Sequence, residues 1–179
     1  MSLALRAAEL HVPAPVRRAA LRELFTATAD AFGAQAPALA GLGEDELLRR
    51  YAEFTRDQAE AAIAGGRDLG QIGLRLHAAA RTIGERLRTR LRLATTTDAM
   101  AAARVVYRLL RIDFAGTGDG DVTIRRCSFS DVYSARVCRL VGALDAGLLA
   151  GLSGGGRLEF SRRITEGAPC CLARLDMRR

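Results

Sequence analysis

Four cysteines and one aspartate hold most of the chemistry this sequence offers. Cys127, Cys138, Cys170 and Cys171 all lie in the last third of the chain. Asp145 follows Cys138 by seven residues, and seven residues of α-helix turn roughly 700°, about two full turns. On a continuous helix the thiol and the carboxylate therefore point the same way. Val141, Leu148 and Leu152 share that direction, which makes it the buried side. A carboxylate on an apolar stripe is costly unless it is paired or used. A thiol beside it becomes a nucleophile if cations lower its pKa. Arg126, Arg139, Arg162 and Arg163 are near in sequence or on facing elements. In this arrangement Cys138 or Cys127 attacks a polarised carbon, and Asp145 acts as general base or orients water. Arg162 or Arg163 then grips a substrate carboxylate. Cys171 and His77 complete the candidate substrate-binding set.

Plainer readings compete with each of these. A free cysteine is commonly an inert small hydrophobe. Asp145 could pair with an arginine from the sheet. His77, beside an apolar helical stripe, suits a hydrogen-bonded boundary position. Cys127, Cys138 and Cys171 come from separate elements, and three thiolates with or without His77 could hold zinc. The paired C-x-x-C spacing is missing, however, so no cofactor is expected, with zinc as the fallback. Cys170 and Cys171 are adjacent and point to opposite faces of a strand, so at most one reaches a shared site. Gly154-Gly155-Gly156 precedes no helix and suits a flexible turn better than a phosphate cradle.

The elements that must position these groups fall into two sets. The first twelve residues read as a loose arm or short helix, punctuated by Pro13 and Pro15. Val16, Ala20, Leu24, Ala27 and Ala31 then recur at helical spacing. A second helix is predicted over about 44–64, with Glu44, Asp45 and Glu46 at its positive end. A third starts at the N-cap Asp68 and carries a stripe from Leu69 through Leu91. Thr95-Thr96-Thr97-Asp98 caps a fourth, about 98–110. After Arg111 the pattern changes to a hairpin, Ile112–Ala115 and Asp121–Cys127. Ser130 caps a helical stretch to about Leu152 with a potential break at Gly142. Leu158, Phe160, Arg162 and Ile164 alternate as a strand, and Cys171, Ala173 and Leu175 as another. The expectation is an α+β fold: a helical region over 1–111, then a β-β-α-β-β region over 112–179 with an antiparallel sheet packed on helices, together one compact domain.

Composition narrows the function. The chain has 179 residues, 27 Lys+Arg and a formal charge of +7. All of those cations are arginine, so lysine-dependent chemistry is excluded. The arginines alternate with apolar residues along helices and lack interleaved aromatics, so solvated helix faces are expected rather than nucleic-acid binding. No apolar run spans a membrane, and no signal peptide is evident at the start. A soluble cytoplasmic protein with reduced thiols is expected, and the long third helix is suited to a homodimer contact.

The second half resembles the L-2-amino-thiazoline-4-carboxylic acid hydrolase-like family, which is similar to the small-ligand domains named after vinyl reductases. The resemblance covers roughly residues 112–176. It rests on Val122-Thr123-Ile124-Arg125-Arg126-Cys127, on Leu144-Asp145-Ala146-Gly147-Leu148, and on Leu158 through Glu166-Gly167-Ala168-Pro169-Cys170-Cys171. It implies hydrolytic opening of a C=N or C–N bond in a small cyclic substrate. The family pattern has a Cys three residues before the helix Asp, where this chain has Gly142, so either Cys138 one turn earlier takes the thiol's place or the thiol function is lost. A Phe is usual two residues after the final motif's Cys, where this chain has Ala173. The vinyl-reductase side of the resemblance implies ligand binding or sensing without catalysis.

Overall fold

The computed structural model describes residues 2–177. Five helices come first: α1 (Leu3–Leu10), α2 (Ala14–Phe32), α3 (Glu44–Ala64), α4 (Leu69–Leu91) and α5 (Thr96–Leu109). Strands β1 (Ile112–Gly116) and β2 (Asp121–Cys127) follow, then α6 (Ala135–Val141) and α7 (Ala143–Ser153). Strand β3 (Arg157–Arg162), a 3-10 turn (Ile164–Glu166) and β4 (Cys171–Asp176) complete the described chain. The fold is α+β, with a helical first half. The four strands are all antiparallel in the spatial order β1-β2-β4-β3.

Local signals set most helix ends. Asp68 caps α4 by accepting from the Gln71 N–H at 3.0 Å. Thr95 and Asp98 form a reciprocal capping box on α5. The first twelve residues include a formed helix, α1. Its cap Ser2 also donates its hydroxyl to the Leu91 carbonyl at 2.5 Å, tying α1 to the end of α4.

The single helix expected after β2 is two. Ser130 does not cap it; its hydroxyl donates to the Cys127 carbonyl at 2.7 Å in a turn. That turn is drawn inward by Phe129 and Tyr133, whose rings stack 5.4 Å apart. Ser134 is the cap, accepting from the Val137 N–H. At Gly142 the backbone (φ −58°, ψ −12°) ends α6 and begins α7, so the expected β-β-α-β-β order is β-β-α-α-β-β.

Helix α7 is held against α4 at backbone distance. A Cβ on Gly147 would stand 2.1 Å from the His77 carbonyl oxygen, and one on Gly151 would stand 2.4 Å from that of Arg81. Only glycine permits this approach. Burial is continuous from the α2–α3 pair (Phe25, Phe32, Leu47, Tyr51) through α5 to the inner face of the sheet (Val122, Ile124, Leu175).

Candidate functional site

A cavity of about 660 Å³ lies between the helices and the inner sheet face, well inside the range of small-ligand pockets. Its walls are mainly aliphatic. Leu21 and Leu24 of α2, Ile83, Leu87 and Leu91 of α4, and Val105, Val106 and Leu109 of α5 line it. The polar lining gathers where α6, α7 and the sheet meet: Asp145, Tyr107, Cys127, Cys138, Cys171, Arg163 and Thr165. All the lining residues that are exposed to solvent belong to α1, the α1–α2 connection, α2 or α4, among them His11, Val16, Arg86 and Arg90. The exposed part of the lining is therefore on the helical side, and the polar group sits at the sheet end.

Asp145 is in the first turn of α7. Its carboxylate accepts a hydrogen bond from the Tyr107 hydroxyl at 2.7 Å. Burial pushes its pKa up; the Tyr107 hydrogen bond and the charge of Arg163 work against that shift. Tyr107 itself is fixed by parallel stacking on Phe114 of β1, with ring centroids 4.5 Å apart. The same burial, aided by the Asp145 charge, drives the Tyr107 hydroxyl well above its ordinary value, so it remains a donor.

The three cavity-facing thiols differ. Burial pushes Cys127 up to about 12, against a lowering hydrogen bond from the Phe129 backbone. Burial also raises Cys171, although its sulfur accepts from the Ile164 N–H at 3.4 Å. Neither is a ready nucleophile near neutral pH. Cys138 is half-buried, and its sulfur lies 3.9 Å from Nη1 of Arg163. Cys170 does not line the cavity, as strand alternation requires for one member of the adjacent pair.

Two β-bulges decide which side chains face inward. Asp113 pairs with Arg126 but Phe114 pairs with Ile124, leaving Arg125 as an extra residue in β2. Strict alternation from Val122 and Ile124 would carry Arg126 inward; the bulge shifts that place to Cys127. In β3, Phe160 pairs with Ala173 and Arg162 with Leu172, so Ser161 is the extra residue. Arg162 consequently faces solvent, away from the cavity, and Arg163 turns in. The alternation expected over Leu158, Phe160, Arg162 and Ile164 fails at this bulge.

His77 also stands outside the cavity. Its backbone forms the α4 side of the contact with Gly147, and burial followed by the charge of Arg81 lowers its pKa. Among the described residues, no group of three His, Cys, Asp or Glu side chains is arranged to hold a metal ion. The expected grouping of Cys127, Cys138 and Cys171 with or without His77 is not among such groups in the described residues. Among the described residues no helix is long and apolar enough to cross a membrane.

The tyrosines were not among the expected site residues. The chain has only three, and Tyr51, Tyr107 and Tyr133 all line the cavity. Each hydroxyl is partnered: Tyr51 with Thr28 at 3.1 Å, Tyr133 with Thr55, and Tyr107 with Asp145. A readable signal existed, since Tyr51 shares an apolar stripe with Leu47 and Leu48, and a buried tyrosine needs a polar partner. No family model matches the chain, and no curated protein matches it.

Proposed function

We propose that the protein binds a small, largely apolar ligand without transforming it. The observation that carries this reading is the cavity of about 660 Å³, aliphatic along three helices, with polar groups gathered at its sheet end and at its solvent-facing mouth. Such a space favours an apolar body by removing its surface from water. The protonated state of Cys127 and Cys171 supports binding over nucleophilic attack. Four unpaired cysteines suit a reducing cytoplasmic setting.

Dodecanol tests the reading. At a hundredfold excess over its Kd it should raise the melting temperature by roughly 5–10 °C, and mass spectrometry should recover it unchanged. No thermal shift, or recovery of a product, overturns the reading.

A second reading is hydrolysis of a small cyclic C=N or C–N bond, as the family resemblance implies. Its specific support is the contact between Cys138 and Arg163, whose Nη1 lies 3.9 Å from the sulfur. Turnover of a thiazoline carboxylate that disappears in Cys138→Ala would favour it, and equal turnover in that variant would dismiss it.

A further inference from the structure

The sheet end of the cavity holds the Arg163 guanidinium, which makes no ion pair within 4 Å among the described residues, although Asp145 of the same lining is close enough for the two charges to act on each other. The Arg163 guanidinium lies over the Phe160 ring, 3.9 Å from its centroid. Its side-chain hydrogen-bond partner is Cys138 Sγ at 3.9 Å, and a thiol sulfur is a weak acceptor. The nearby carboxylates are engaged elsewhere: Glu166 with Arg139 at 2.7 Å, Glu159 with Arg157 at 2.9 Å. Gly142 makes room for the guanidinium, since a Cβ there would stand 3.1 Å from Nη1 and 3.3 Å from Nη2.

The rest of the lining leads away from this cation. On α4 it extends from Ala80 to Leu91, about 16 Å of helix axis at 1.5 Å per residue. Val106 and Leu109 of α5 and Leu24 of α2 continue the same aliphatic surface toward the solvent-facing mouth. An aliphatic space that runs along α4, with the Arg163 guanidinium at its sheet end and Arg86 and Arg90 at its solvent-facing mouth, matches a ligand with a long apolar body and an anionic head.

Resting on the binding reading above, we propose that the ligand is a long-chain aliphatic carboxylate. Its head group engages Arg163, and its chain lies along α4 between α2 and α5. A guanidinium holds a carboxylate through two parallel N–H···O bonds, and these gain strength where water is excluded. Burial raises the pKa of Asp145, which lessens its opposition to an anionic head group.

Calorimetric titration with dodecanoate, dodecanol and dodecylamine separates the possibilities. The unaltered protein should bind dodecanoate about tenfold or more tightly than dodecanol, with dodecylamine weakest. R163Q should erase the acid preference, with its circular dichroism spectrum and cooperative thermal unfolding reporting that the variant is folded. R163K should retain part of the preference as a point charge. Equal binding of acid and alcohol, tightest binding of the amine, or an acid preference intact in R163Q overturns the carboxylate assignment while sparing the binding reading. If none of the three ligands binds, both fail. The acid-to-alcohol ratio of the unaltered protein needs no variant at all.

Discussion

The helical half and the sheet half furnish one cavity by different means. From α1 to α5 the contribution is a wall: aliphatic residues at helical spacing, with Tyr51 and Tyr107 among them and His11, Glu23, Arg86 and Arg90 where it meets solvent. From β1 onward the contribution is the polar end, and its composition depends on three irregularities. A bulge at Arg125 turns Cys127 inward, a bulge at Ser161 substitutes Arg163 for Arg162, and a break at Gly142 sets the start of α7 and thus Asp145. A wall built on periodicity tolerates small changes, because neighbouring residues of the stripe do similar work. A polar end built on register does not, because a one-residue slip exchanges the facing side chain for its neighbour.

The largest effect that sharpens this contrast is in thiol reactivity. Folding raises Cys127 from 9.0 to about 12, a difference of 3, which leaves roughly a thousandfold fewer thiolates at a given pH. Iodoacetamide labelling at pH 8, followed by peptide mass spectrometry, should find Cys127 slower by about that factor in the folded protein than in urea. Equal rates in the two states would mean that Cys127 is not held inside by the bulge.

A smaller effect concerns the α4–α7 contact that fixes the polar end. Gly147→Ala or Gly151→Ala forces a methyl group onto the α4 backbone and should cost about 1–3 kcal/mol. In the wall, Val106→Ala borders open space and should cost about 1 kcal/mol or less. Denaturant unfolding of the three variants checks the ordering. If Val106→Ala proves the costliest, the wall rather than the glycine contact sustains the structure.

The sequence made the wall legible and the polar end only partly so. Helices over 44–64 and to Leu91 follow from sustained stripes, acidic first-turn residues and the Asp68 cap, all of which are local. Asp145 and Cys138 were found through their spacing, and both line the cavity although the helix between them breaks. The exchange of Arg162 for Arg163 was not legible, because a bulge at Ser161 is fixed by pairing with β4, a partner distant in sequence. His77 lay beside a clear stripe, but the use of its backbone against Gly147 depends on how closely two helices approach. Ser130 and Ser134 are both competent caps, and the inward pull of Phe129 and Tyr133 decided between them.

The central claim is that the aliphatic corridor receives a ligand. The heat capacity change of dodecanol binding, measured by titration calorimetry at several temperatures, tests it most directly, because apolar burial gives a negative value. Leu87 lines the corridor, and Leu87→Trp should fill it. A negative heat capacity change is expected in the unaltered protein, and no measurable binding in Leu87→Trp. Binding that is undiminished in Leu87→Trp, or a heat capacity change of zero, would contradict it.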